Sequence, residues 1–205
     1  MYIGTQGRFN DDTQLEVLAQ LGVNNVDHTP SEPWTDWSTE MIVALRERFD
    51  KFGVNLEMMH IPLRGRPAIK DSGREGQPNS AGVIFMGESD ERDRQIDQAC
   101  EVIRMAGQAG LRGLNYNITI LGHLRTPAKT GRGGATLSTF DFEKLPQDKE
   151  DFPAAAGEDE MWERIEYWLK QVIPVAEEYK VQMACHPSDP GIGNGKMYRG
   201  VARPL

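Results

Sequence analysis

Cysteine is scarce: Cys100 and Cys185 are the only two in 205 residues. That is too few for a disulfide framework, and a reducing cytoplasm is the compartment it implies. Positive charge is also short. Lys and Arg number 23 against 31 Asp and Glu, a net charge of −8, whereas a nucleic-acid binder wants a basic footprint. No run approaches the roughly 18 apolar residues of a membrane span, and mean hydropathy is −0.54. Met1-Tyr2-Ile3-Gly4-Thr5-Gln6 has no basic stretch ahead of an apolar one, so no signal peptide is read there. The first turn, Thr5-Gln6-Gly7-Arg8-Phe9, lacks G-x-G-x-x-G, and Gly131-Arg132-Gly133-Gly134 lacks the Lys and Ser/Thr of a phosphate loop. These gaps argue against secreted, nucleic-acid-binding, membrane and dinucleotide-binding classes.

What is present is the composition of a soluble globular protein, 39% hydrophobic and 26% charged. The length predicts one domain, residues 1–205. Its order is strand, helix, strand. Met1 to Thr5 reads as a strand, Asn10, Asp11 and Asp12 offer a helix cap, and Leu15, Leu18 and Ala19 follow at helical spacing to Gly22. Val23 to His28 is the next strand. Ser38 caps a helix with Ile42, Leu45, Phe49 and Phe52 on one face, and Val54 to His60 is a third strand. Ser89 caps a long helix bearing Ile96, Ala99, Cys100, Ile103 and Ala106, ahead of a strand from Leu111 to Asn117. A helix from about Met161, which Pro174 should kink or divide, leads to Val181–His186. Alternating strands and helices predict a parallel α/β sheet with right-handed crossovers. Polar residues at successive strand ends (Gln6, Asp27-His28, His60, Asn117, His186) favour a (β/α)8 TIM-barrel type over a doubly wound sheet. Two inserts, about 63–87 and 124–160, read as binding loops or as local disorder.

His186 is the leading candidate for chemistry, as a metal ligand or a hydrogen-bonded structural residue. Alternation sets Gln182, Ala184 and His186 on one face, which makes Cys185 a core thiol on the other. His60 reads as a substrate contact, an acid or base, or a structural residue. Glu57 lies on the face opposite His60 unless a bulge intervenes, and His28 is a weaker candidate. Arg125 and Arg132 have the chemistry to hold a carboxylate, with the glycines around Arg132 letting backbone N–H groups approach an anion; a plain turn is the other reading. Cys100, Trp162 and Trp168 read as packing.

The chain resembles the mannonate dehydratase family. The resemblance rests on Ile3-Gly4-Thr5-Gln6, Leu21-Gly22-Val23-Asn24-Asn25-Val26, Tyr116-Asn117, Arg125-Thr126, Gly131-Arg132-Gly133-Gly134-Ala135, Ile173-Pro174-Val175-Ala176-Glu177-Glu178 and His186-Pro187-x-Asp189-Pro190. It implies a xylose-isomerase-like barrel, dehydration of D-mannonate to 2-keto-3-deoxygluconate in hexuronate (glucuronate) catabolism, and Mn²⁺ or Fe²⁺ as cofactor. It implies that His186 binds the metal and that Tyr116, Asn117, Arg125 and Arg132 lie on the substrate side; it assigns no catalytic acid or base. The family motif His-Pro-Asp-Asp-Pro-Pro is here His186-Pro187-Ser188-Asp189-Pro190-Gly191. The family's remaining ligands, a cysteine, a histidine and an aspartate, lie on later strands. The expectation is therefore five strands and four intervening helices of a barrel that typically takes about 250 residues. A sugar isomerase or epimerase of the same superfamily, and a non-catalytic fragment that binds sugar acids, are the competing readings. The expected partner is a small sugar acid, with self-association of the chain, and no nucleic acid or membrane.

Overall fold

The first three helices begin where their capping side chains predict. In the computed structural model, which describes residues 3–61, 63, 83–118, 120–152 and 154–204, strand β1 (Gly4–Gly7) leads into helix α1 (Asp12–Gln20). Asp11 caps α1, its carboxylate accepting from the Thr13 N–H at 2.7 Å while the Gln14 side chain accepts from the Asp11 N–H. Strand β2 (Asn25–His28) precedes helix α2 (Thr39–Asp50), where the Ser38 hydroxyl accepts from the Met41 N–H. Strand β3 (Asn55–His60) precedes helix α3 (Asp90–Gln108), capped by Ser89 through the Arg92 N–H. Gly22, Gly53 and Gly110 end these helices at φ of 73°, 68° and 70°, a left-handed conformation that costs other residues a steric penalty.

Strand β4 (Gly113–Asn117) is followed by a hairpin of β5 (Thr126–Thr130) and β6 (Thr136–Thr139), then by helix α4 (Glu158–Tyr179) and strand β7 (Gln182–His186). A second hairpin, β8 (Ile192–Tyr198) and β9 (Val201–Arg203), comes last. The five strands β1-β2-β3-β4-β7 form one parallel sheet in that order, with a helix between each successive pair. This is the α/β pattern of a partial (β/α) barrel. Among the described residues β1 and β7 are its open edges.

The core lies between the sheet and the helices. Leu15, Ile42, Phe49, Ile103 and Trp168 are fully buried, facing Val26, Leu56, Met59 and Leu114 from the strands. α3 and α4 cross so closely that a Cβ on Gly107 would sit 2.7 Å from both Tyr179 Cβ and the Tyr179 carbonyl.

Four expectations change. α4 is not divided at Pro174, which lies on the exposed side between buried Val172 and Ala176. The carbonyl that loses its amide partner there is on the water side. The insert 124–160, read as binding loops or local disorder, is ordered: it forms the β5–β6 hairpin and then packs Phe152, Ala154 and Ala156 into the core. Its end is stitched to β9, the Ala156 N–H donating to the Gly200 carbonyl and the Ala202 N–H to the Ala156 carbonyl. Most of the insert 63–87, and Met1 and Tyr2 of the expected first strand, lie outside the described residues. Finally, Trp162 is 41% exposed rather than packed, and Cys185 is exposed rather than a core thiol, because among the described residues β7 is an edge strand, paired only with β4.

Candidate functional site

Sheet register decides which side chains meet. β4 and β7 pair Gly113 with Gln182, Asn115 with Ala184 and Asn117 with His186. Alternation puts these pairs on the concave face and turns Leu114, Tyr116, Met183 and Cys185 toward the helices. β3 adds His60, opposite Asn115, and Met58, whose side chain lies over Gly113. The β2–β3 register shifts between Val26 and Asp27, passing over Glu57. This is the irregularity that lets Glu57 turn toward Arg112, 3.5 Å away, without disturbing His60.

Asn117 and His186 therefore face each other at the carboxyl end of the sheet, where α/β folds assemble their sites. The His186 Nδ1 lies 2.9 Å from the Pro187 carbonyl. A carbonyl only accepts, so Nδ1 carries the hydrogen and Nε2 is left with the lone pair in the neutral ring. The His123 ring stands edge-on to that of His186, with centroids 6.4 Å apart.

The loops after the two strands are tied together at Asp189. Arg125 Nη2 donates to Asp189 Oδ2 at 2.5 Å, and Arg125 Nη1 lies 3.3 Å from the Asp189 carbonyl. His123 Nδ1 is 3.5 Å from the same carboxylate, and the Ser188 hydroxyl donates to the Ile118 carbonyl. The Arg125 hydrogen bond, more than any other contact, holds the Asp189 carboxyl below its usual range. Under this cluster lies Arg203, buried, with Nη1 donating to the Gly122 carbonyl at 2.8 Å. Burial pushes its guanidinium down to about 10, with Asp189 opposing that shift and Arg125 adding to it. One carboxylate thus sits between the Arg125 and Arg203 guanidiniums with His123 beside it, two fixed positive charges to one negative in an acidic chain.

The other predicted residues are placed differently. His60 is on the concave face one step below Asn117 and is buried. Tyr116 does not join Asn117. It packs against Trp168 of α4, ring centroids 5.6 Å apart, and burial pushes its phenol up to about 12. Arg132 is exposed at the tip of the β5–β6 hairpin, the length of that hairpin away from Arg125. The N–H groups of Gly131 and Gly134 are spent on the turn itself, donating to the Ala135 and Gly131 carbonyls. His28 is buried on the helix side between Phe9 and Phe49. Sequence reasoning missed His123, Arg203 and the hub role of Asp189. Asp189 had a signal, as part of the His-Pro-x-Asp-Pro motif, and Arg203 closes a segment, Arg199-Gly200-Val201-Ala202-Arg203, that also resembles the family.

Among the described residues no three His, Cys, Asp or Glu side chains converge so as to hold a metal ion. His186 Nε2 is a single donor, so these residues do not make a metal site on their own.

Comparison with known proteins follows the same lines. Residues 135–202 match the family model "D-mannonate dehydratase (UxuA)". The mannonate dehydratase of Shouchella clausii is 26% identical over 222 residues, covering 90% of this chain and 56% of the relative. That of Bacillus subtilis is 27% identical over 219 residues, with the same coverages. The chain spans little more than half the length of the curated relatives it matches. The crystal structure of mannonate dehydratase from Streptococcus suis serotype 2 superposes with a TM-score of 0.76 at 23% identity, over 99% of this chain and 55% of that one. D-psicose 3-epimerase from Clostridium cellulolyticum H10 gives 0.50 at 15%, over 89% and 51%. These two structures show the α/β barrel fold that the chain shares in part. With the family model over its C-terminal third and curated mannonate dehydratases aligned along nine-tenths of its length, the chain is similar to mannonate dehydratases in sequence and in fold.

Proposed function

We propose that the chain serves a dehydratase of the mannonate type, supplying the substrate-side wall of a site that converts D-mannonate to 2-keto-3-deoxygluconate in hexuronate breakdown in the cytoplasm. The observation that carries this reading is the pairing of Asn117 with His186 at the carboxyl end of the sheet, next to the cationic cluster around Arg125. Dehydration of a 2,3-dihydroxy acid begins with loss of the C2 proton, and negative charge builds on the carboxylate as it leaves. Cationic donors fixed beforehand on that carboxylate stabilise the developing charge. Arg125 has the planar fork for this task, and Arg203 and His123 add to the field. Asn117 presents an amide that can orient a substrate hydroxyl.

Mn²⁺ or Fe²⁺ is the cofactor we propose for the whole site. His186 would be this chain's donor to it, through Nε2. We read residues 1–205 as one domain in which the inserts 63–87 and 124–160 border the substrate. The open edges β1 and β7 make self-association the expected state. A second reading, a protein that binds sugar acids without turnover, is favoured by one observation: Arg125 is already paired with Asp189.

Incubation with D-mannonate and Mn²⁺ separates these readings. Formation of the 2-keto-3-deoxy acid supports the dehydratase. An epimer or ketose without loss of water supports the isomerase class, and saturable binding with no product supports the non-catalytic binder.

A further inference from the structure

Asp27 on β2 and Asn115 on β4 meet on the concave face, where Asn115 Nδ2 donates to Asp27 Oδ2 at 2.5 Å. Gln6 Nε2 donates to the same oxygen at 2.9 Å. The bonding is lopsided. Asp27 Oδ1 and Asn115 Oδ1 are both buried, and among the described residues neither has a hydrogen-bond partner. An ionised carboxylate divides its charge between two oxygens, so burying one of them without a donor is costly. The amide oxygen of Asn115 repeats the fault.

A single proton corrects both. Placed on Asp27 Oδ1, it donates to Asn115 Oδ1 while the Asn115 amide donates back to Oδ2. The carboxyl and the amide then form a planar ring closed by two antiparallel hydrogen bonds, with Gln6 as a third donor. We infer that Asp27 is a neutral carboxylic acid at neutral pH, and that it acts as a positioning residue whose O–H locks the Asn115 amide in one orientation on the concave wall. Asn115 lies opposite His60 on one side and Ala184 on the other, one step below Asn117 and His186. Its orientation therefore sets the floor of the candidate site, whichever sugar acid that site takes.

The surroundings agree. β1 has no titratable side chain; β3 carries Glu57 and His60; β4 carries only Tyr116, which faces α4. On β2 itself His28 is turned to the helices. Burial lifts the Asp27 carboxyl above its ordinary value, the Asn115 and Gln6 hydrogen bonds offset part of that rise, and no charged side chain contributes.

The direct test is ¹³C NMR of the protein labelled at its aspartate carboxyl carbons, titrated from about pH 3 to pH 8. The expected result is one aspartate resonance that keeps the chemical shift of a protonated acid at pH 7, through the range where the others ionise. It is assigned by its loss in Asp27→Asn. The variant also reads the role, because an Asn at this position offers N–H where the acid offers O–H. Asp27→Asn is expected to melt at the wild-type temperature at pH 7 and to keep the Asn115 side-chain amide resonances in place, whereas Asp27→Ala shifts them. Ionisation of every aspartate below pH 6 in the wild-type protein, an observation that needs no variant, overturns the inference. So does a displaced Asn115 amide in Asp27→Asn.

Discussion

Arg125 Nη2 lies 2.5 Å from Asp189 Oδ2, joining the loop that follows β4 to the loop that follows β7 across 64 positions of sequence. Both side chains are more than a third exposed, and such pairs contribute about 0.2–1 kcal/mol. The pair matters more for geometry than for stability. Asp189→Asn keeps the shape and removes the charge, which releases the Arg125 guanidinium. The expected outcome is a stability change under about 1 kcal/mol and several-fold tighter binding of D-mannonate, read by calorimetry. Because its folded-state carboxyl is depressed, the Asp189 contribution is present at neutral pH and is lost as pH falls through the folded value. The small stability gap between wild type and variant therefore closes in acid.

Tyr116 and Asn117 are neighbours in sequence with opposite roles. Asn117→Ala is expected to weaken D-mannonate binding by roughly tenfold, the loss of one buried hydrogen bond worth about 1–1.5 kcal/mol. Tyr116→Phe is expected to leave binding unchanged, since its ring faces Trp168. Titrations of the two variants side by side check this.

His28 predicts a pH dependence of folding. The Phe9 N–H donates to its Nδ1 at 3.2 Å, and burial, the largest influence, lowers its pKa to about 4. A depressed histidine stabilises the fold above its unfolded value of about 6.5, and that stability drains away as pH falls from there toward 4. Denaturant unfolding at pH 7.5 and pH 5 is expected to show a loss of about 1–2 kcal/mol. His28→Gln flattens the slope.

Gly107→Ala tests the crossing of α3 and α4. The added methyl would meet Tyr179 backbone and Cβ atoms at 2.7 Å, and helix-forming propensity cannot offset the displacement. A loss of about 1–3 kcal/mol is expected in denaturant unfolding, where Ala for Gly in an open helix would gain about 1.

The exposed edges β1 and β7 predict association. Sedimentation velocity of the 205-residue chain is expected to show concentration-dependent species larger than a monomer, driven by unpaired strand groups. Replacing β7 residues Gln182 and Ala184 with Lys should shift the distribution toward monomer. A single monomeric species at all concentrations contradicts the open-edge account.

The repeating strand–helix unit was legible because each boundary is local. Asp11, Ser38 and Ser89 cap, Gly22, Gly53 and Gly110 stop, and the apolar stripes have helical period. Strand β7 shows where local rules fall short. Alternation correctly turned Cys185 toward the helices, but burial depends on whether a helix covers that side. The same alternation applied to β4 would have turned Tyr116 away from Asn117. The β5–β6 hairpin was missed because Thr126–Thr130 and Thr136–Thr139 are exposed on both faces and show no apolar alternation. The stop after α4 is Lys180 at φ 59°, a left-handed residue that carries no glycine to announce it. Asp189, His123 and Arg203 could not be grouped from sequence, because nothing local joins positions that far apart.

In the proposed function a sugar-acid carboxylate is held at the carboxyl ends of β4 and β7. The most direct measurement is ¹H–¹⁵N chemical-shift mapping with D-mannonate, with the uncharged D-mannitol as control. The predicted result is saturable perturbation at Asn117, His123, Arg125, His186 and Asp189 with D-mannonate, weak or absent with D-mannitol, and nothing at Arg132 on the hairpin tip. Perturbations centred on the Arg132 turn, or an equal response to both ligands, would contradict it.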